Sequence, residues 1–337
     1  MTNKKNMTGE IDFVVTWVDG NDPAWREERS HYQPLMGDDA FRFRDWNLMR
    51  YWFRAVEKYA PWVHRVYFVT WGHVPAWLNT EHPKLRVVRH EDYIPKEYLP
   101  TFNSNVIEIY LHRIPDLAEH FVLFNDDMFL TRPVKPEEFF VRGKARDAFL
   151  LDSAIAPDPR DIFPHMMLNN AKVINKHFEK SDVVRRQFMK IFRPSYGSGL
   201  IRNLLLTPMS QFTGFRSLHL PYSHTLSNYR EVWEAEEELL TEMSGHRFRD
   251  MRDVTHYLFS DWRICKGDFV PRDVKWGRHY ELMWADIREI TETITRGKYA
   301  AVCLNDSSDT LEFEKIAKEL RRAWEKALPE KSSFEKR

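Results

Sequence analysis

Cysteine and glycine are scarce in this 337-residue chain, which has two cysteines, Cys265 and Cys303, and 12 glycines. Two cysteines so far apart argue against a disulfide framework or a cysteine-built zinc site and make a reducing compartment the default. So few glycines disfavour a backbone cradle for phosphates. The phosphate loop, the dinucleotide fingerprint, the nucleophile elbow and the paired-histidine metalloprotease helix are all missing. If phosphates bind, side chains and a metal must hold them. An excess of one charge is missing too: 50 Lys+Arg face 50 Asp+Glu, which argues against nucleic acid as a partner. No apolar run approaches the ~18 residues of a membrane span. Met1-Thr2-Asn3-Lys4-Lys5 is followed by no apolar segment of a secretion signal. A cytoplasmic protein is the expectation. With 43% hydrophobic residues, a buried core is available, and the length suits one large domain or a core with an insertion.

The first half alternates strand-like and helix-like segments. Ile11 to Trp17, Val66 to Thr70, Leu85 to Val88 and Phe121 to Phe124 read as strands. Between them, Asp45 is expected to cap a helix with apolar positions Leu48, Trp52, Ala55, Val56 and Tyr59. Ser104 is expected to cap another, with Ile107, Leu111 and Ile114 as its stripe. This order predicts an α/β fold with a mostly parallel central sheet, whose ligands sit beyond the strands' carboxyl ends. That rule selects Asp19 and Asp22, Thr70 and Trp71, and Asn125-Asp126-Asp127. The second half reads as a helical insertion, with helices near 168–192 and 231–265 and an irregular stretch around Pro194, Pro208 and Pro221. The tail from Leu311 reads as a charged surface helix with a frayed end, contact with an anionic membrane being the lesser reading. The expected organisation is one catalytic unit over 10–310: core 10–160, helical acceptor-side region 161–270, a return to the core over 271–310. The helix and tail follow over 311–337.

Adjacent carboxylates beside a carboxamide, as in Asn125-Asp126-Asp127, offer the hard oxygens that Mg²⁺ or Mn²⁺ prefers. Taken singly, such a triplet is more often a polar turn. A second Asn-Asp pair, Asn305-Asp306, also ends an apolar run, Tyr299 to Val302. Two such ends can converge on one ion. Of 14 histidines, His219 stands out, because Pro221 restricts its loop and a loop histidine suits general base work. His224 competes with it, and His112 and His165 are weaker candidates. Arg42, Arg44 and Arg50 flank a helix start, while Arg247, Arg249 and Arg252 cluster; arginine suits phosphate recognition, although most are expected to be surface groups.

Taken together, these segments resemble the Stealth family of hexose-1-phosphate transferases. Ile11 to Gly20 is similar to its first conserved block. Arg42-Phe43-Arg44-Asp45 through Phe124-Asn125-Asp126-Asp127 is similar to its second. His219-Leu220-Pro221 with His246 to Asp253 is similar to the third, and Cys303-Leu304-Asn305-Asp306 to the fourth. The third block departs from relatives that carry a second histidine straight after the proline, which leaves the part of His224 open. The resemblance implies a fold like that of nucleotide-sugar transferases (GT-A-like) and a divalent metal, Mg²⁺ first and Mn²⁺ second. It also implies transfer of a sugar-1-phosphate, best UDP-GlcNAc as donor, to a glycan hydroxyl with release of UMP. By that resemblance Asp126, Asp127, Asn305 and Asp306 form the metal region, and Asp127, His219 and Arg249 are catalytic. Trp17, Asp19, Arg44, Arg50, Asn103 and Ser104 are the implied substrate-binding residues. The implied partners are a UDP-sugar and a glycan, either polysaccharide or lipid-linked oligosaccharide. Separately, the lack of a membrane span and the modest length favour a cytoplasmic enzyme peripheral at the inner membrane face.

Two rivals share these features. A metal-dependent glycosyltransferase would attack the anomeric carbon and release UDP. A carbohydrate-binding protein could use the 12 tryptophans and 13 tyrosines as stacking surfaces, but it would not need Asn-Asp pairs at two strand ends.

Overall fold

A computed structural model describes residues 9–33, 43–156, 158, 161–283, 285–306 and 312–336. Strand β1 (Ile11–Thr16) is followed by helices α1 (Pro23–Tyr32) and α2 (Met49–Tyr59), then β2 (Val66–Thr70), β3 (Leu85–Arg89), α3 (Ser104–Ile109) and β4 (His120–Phe124). A short β5 (Met128–Leu130) and the pair β6 (Phe140–Val141) and β7 (Lys144–Asp147) lead into α4 (Ile162–His177), α5 (Lys180–Ile191) and α6 (Ser198–Leu206). Next come β8 (Tyr222–Thr225), α7 (Leu226–Ala235), α8 (Glu237–Ser244), α9 (Tyr257–Lys266) and β9 (Phe269–Pro271). The chain closes with β10 (Gly277–Glu281), α10 (Ile287–Arg296), β11 (Ala301–Asn305) and α11 (Phe313–Ala327).

The main sheet has the order β3-β2-β1-β4-β8, parallel except for β8, which pairs antiparallel with β4. The expected α/β architecture is therefore present. Both faces of the sheet are covered, which is why its central strands β1, β2 and β4 are mostly apolar runs. Phe13, Val15, Phe68 and Phe124 point into one core with Trp52 of α2 and Trp324 of α11. Val14, Tyr67, Val69 and Leu123 point into the other with Ile174 of α4, Tyr229 of α7 and Phe259 of α9. The alternation within each strand is the two-residue period of the pleat.

Several expectations are corrected. Asp45 does not cap α2; its carboxylate accepts from the Asn47 amide at 2.7 Å, and the helix starts four residues on. Asn103, not Ser104, caps α3, accepting from the Asn105 amide at 3.1 Å. The irregular stretch contains α6, and the segment expected to be a loop around His224 ends in β8. The tail is not frayed. Ala317, Leu320 and Trp324 of α11 are buried, and Phe334 returns to pack on Phe53. Glu335 pairs with buried Arg54 at 2.7 and 3.1 Å.

A second sheet, β10-β11-β5, carries the site chemistry. Since β5 runs antiparallel to β11 with Cys303 opposite Met128, the residue before β5 meets the residues ending β11. The Leu304 amide donates to the Asp127 carbonyl at 2.9 Å. Two Asn-Asp segments distant in sequence thus become neighbours through one strand pair.

Candidate active site

A cavity of about 680 Å³ opens where the carboxyl ends of β1, β4, β10 and β11 meet. Trp17 follows β1, Asn125 to Asp127 follow β4, Glu281 ends β10, and Asn305 and Asp306 lie at the end of β11. All of them line it. The strand-end rule is met by four strands, two of them outside the main sheet. The end of β2 does not take part: Trp71 turns away to donate to Glu28 at 2.6 Å.

Asp127 is the centre. The Cys303 thiol donates to its Oδ2 at 3.1 Å, and His219 Nε2 lies 3.7 Å from the same oxygen, an ion pair and not a hydrogen bond. Carboxylate, imidazole and thiol atoms fall within 4.8 Å of one another. Burial pushes the Asp127 carboxyl up, but His219, the Cys303 thiol and His279 outweigh it and hold the group below the ordinary range. Burial works against charge on His219 as well, and the facing Asp127 outweighs it, so the imidazole is raised. Asp126 opens to the cleft, yet the enclosing walls strip its hydration. That desolvation, with the charges of Asp127 and Asp45, lifts its carboxyl to about 7.

His219 is held from its other side. Its Nδ1 sits 2.7 Å from the Tyr257 hydroxyl, and its amide donates to Ser217 Oγ at 3.0 Å. Its φ of 48° is the left-handed region, costly for a side chain other than glycine and typical of sites where surroundings impose the conformation. His224 lies fully buried in β8, against Phe121 and Tyr229, and outside the cavity. Burial drives its imidazole well down. The two histidines are therefore separated by structure: one faces the cavity, the other fills the core.

The expected binding residues divide. Trp17, Arg44 and Ser104 line the cavity, as does Arg249, expected to be catalytic; Asp19, Arg50 and Asn103 do not. Arg249 donates to Ser104 Oγ at 2.7 Å. Asn103 holds the loop that carries Arg249, its buried amide donating to the carbonyls of His246 and Phe248 at 3.2 Å and to Asp253 at 2.8 Å. Asp19 forms a local turn, accepting from the Asn21 amide at 2.8 Å, and Arg50 rests over the Trp77 ring. Arg42 lies outside the described residues. Arg44 pairs with Asp306 at 3.0 Å, so one expected substrate residue offsets one expected metal ligand. The Asn305 amide donates to Glu281 at 2.7 Å.

Glu281, His279, Tyr257 and the buried pair Glu108–His256 (2.6 Å) also line the cavity. None was named as a site residue from sequence, where Glu108 counted only within the second conserved block, because each lies in a segment whose pattern signals only a helix, a strand or nothing. For a divalent cation, the telling atoms are Asn125 Oδ1 and Asp127 Oδ1, both buried acceptors without a hydrogen-bond partner among the described residues. Two orphaned oxygens flanking Asp126 are the donor type a hard cation takes.

The site is a carboxylate cluster faced by an imidazole and an arginine, groups that a phosphoryl-transfer enzyme can use. Two profiles match the chain: Stealth protein conserved region 1 over residues 9–35 and conserved region 2 over residues 42–147. The capsular polysaccharide phosphotransferase WcwK of Streptococcus pneumoniae is 42% identical over 99% of this chain and 100% of its own. The exopolysaccharide phosphotransferase cps2G of Lactiplantibacillus plantarum is 40% identical over 97% and 96%. The receptor polysaccharide phosphotransferase WefC of Streptococcus gordonii is 36% identical over 98% and 100%. The chain belongs to the Stealth family and is a phosphotransferase. Among solved structures, the galactosyltransferase LgtC with donor and acceptor sugar analogues aligns over 92% of this chain and 95% of that one. Its TM-score is 0.38 at 11% identity, a likeness too loose to decide fold or chemistry. Among the described residues, no helix is long and apolar enough to cross a membrane.

Proposed function

We propose that the enzyme transfers a hexose-1-phosphate, with UDP-GlcNAc as the first donor to try, from a UDP-sugar to a glycan hydroxyl during polysaccharide synthesis. The observation that carries this reading is the placing of His219 against Asp127 at the meeting point of both Asn-Asp segments, in a chain similar along its whole length to polysaccharide phosphotransferases. In the reaction, the acceptor oxygen attacks the β-phosphorus, a new P–O bond forms, and the P–O bond to UMP breaks. His219 takes the acceptor proton at Nε2 while Tyr257 fixes Nδ1, a contribution of roughly 10²–10⁴ in rate. Arg249, steadied by Ser104, faces the transferred phosphoryl group, and Trp17 offers its ring on the donor side. Asn125, Asp126 and Asp127 would hold a divalent cation, with Mg²⁺ the first choice. Bound there, the cation would supply positive charge for the diphosphate and would offset the Asp127 charge that favours the imidazolium. Asn305 and Asp306 complete this wall through Glu281 and Arg44.

The test is a donor labelled at the β-phosphorus. Label appearing in the glycan as a phosphatase-resistant diester supports the reading. Label remaining wholly in the nucleotide, with sugar transferred, assigns the enzyme to glycosyl transfer instead.

A further inference from the structure

The antiparallel pair α5–α6 carries an apolar surface that is left exposed among the described residues. The pair is well fixed. Buried Lys180, at the start of α5, donates to the carbonyls of Leu206, which ends α6, and of Met209 and Gln211 just beyond it, at 2.6 to 3.1 Å. Asn203 of α6 donates to the Ile191 carbonyl at the end of α5 at 2.8 Å. Val183, Gln187 and Ile191 of α5 and Asn203 of α6 therefore point inward. Many of the outward positions are apolar. Phe188, Met189, Ile201, Leu204, Leu205 and Met209 are 48–77% exposed, six of the eleven exposed large hydrophobic side chains among the described residues, in one short segment. Scattered exposed apolar residues are ordinary; a concentrated patch marks an interaction site.

Charge says what the patch meets. Between Asp182 and Glu231 the sequence carries seven lysine or arginine residues and no acidic one, in a chain whose charges otherwise balance. Arg185, Arg186, Arg193 and Arg202 are exposed beside the apolar positions. Arg185 pairs with Asp182 and Arg202 with Asp152, whereas Arg186 and Arg193 have no carboxylate within ion-pair reach among the described residues. An aliphatic face rimmed by arginines matches an anionic lipid surface, with side chains entering the acyl boundary and guanidinium groups at the headgroups. A second copy fits worse, because a two-fold contact would set these arginines against their own counterparts. Nor can α11 take this role, since its apolar face is buried.

The geometry points to the α5–α6 pair as a docking face for anionic membranes, placing the enzyme beside a lipid-borne acceptor. Docking does not depend on which sugar is transferred. The purified full chain is sedimented with vesicles of phosphatidylcholine alone and with phosphatidylglycerol added. The expected result is co-sedimentation with the anionic vesicles, weakened by salt. It is lost in Met189→Asp/Leu205→Asp and reduced about fivefold for each arginine removed in Arg186→Gln and Arg193→Gln. These side chains are exposed, so melting temperature and turnover of a soluble acceptor should stay at wild-type values. Absence of vesicle binding, or binding unaffected by either set of variants, overturns the proposal. So does a dimer in light scattering that Met189→Asp/Leu205→Asp dissociates, which would give the face to a second copy.

Discussion

His219 and Asp127 face each other at 3.7 Å across the cavity, and the far side of the imidazole is fixed by Tyr257 at 2.7 Å. That relationship holds the imidazole ready at the carboxylate cluster and makes its loss the most informative substitution. His219→Ala is expected to lower turnover by roughly 10²–10⁴ while leaving UDP-sugar affinity within a few-fold of wild type. Tyr257→Phe keeps the ring packing but removes the hydroxyl, so it should lower kcat less than His219→Ala and leave donor KM unchanged. Steady-state kinetics with direct donor titration separates these outcomes. Unchanged turnover in His219→Ala would remove the base.

Asp126 links function to stability with a definite sign. Its carboxyl is raised to about 7 from an ordinary 3.8, so the folded, metal-free protein binds a proton there that the unfolded chain releases. Its stabilising contribution is present below about pH 4 and is lost as pH rises through 7. Asp126→Asn should therefore raise the melting temperature of the metal-free protein at pH 8 and abolish stabilisation by Mn²⁺ or Mg²⁺. In the wild type, cation affinity should fall below pH 7, where a proton competes for the same oxygen. Calorimetric titration of Mn²⁺ at pH 6 and pH 8 measures this; equal affinities would contradict it.

How much of this was legible in sequence depended on pattern. The strands β1, β2 and β4 are buried on both faces and so read as apolar runs, broken within β1 only by the buried Asp12. The edge strand β8 is Tyr-Ser-His-Thr, with no apolar period to mark it, and α6 hides between Pro194 and Pro208 with its apolar side outward. The two Asn-Asp segments were visible as similar chemistry, but their meeting depends on the β5–β11 pairing, which no local signal specifies. For the same reason the Arg44–Asp306 pair and the supporting work of Asn103 emerged only from the fold.

Asn103 should behave as a positioning residue. Asn103→Ala removes three donated hydrogen bonds to the loop of Arg249 and leaves buried Asp253 with one partner fewer. The expected cost is about 1–3 kcal/mol of stability, together with a fall in kcat. Arg249→Ala should show the fall in kcat without the loss of stability. Thermal melts and kinetics on both variants check the distinction.

The C-terminal return is structural. Arg54 and Glu335 are 6% and 5% exposed and meet through two hydrogen bonds. Burial pushes the Glu335 carboxyl up, but Arg54 outweighs it and holds the group below its ordinary value. Glu335→Ala leaves the buried guanidinium with the exposed Glu325 at 3.2 Å as its remaining counter-charge and the Leu328 carbonyl at 2.8 Å as an acceptor, and should cost on the order of 3 kcal/mol, read by urea denaturation, while donor affinity in the remaining folded protein is kept.

The most direct test of the account is the nucleotide released when the purified enzyme, Mg²⁺ or Mn²⁺, a UDP-sugar and a glycan acceptor are combined. UMP appearing only with acceptor and metal is the predicted result. UDP as the product would mean attack at the anomeric carbon and would contradict sugar-1-phosphate transfer.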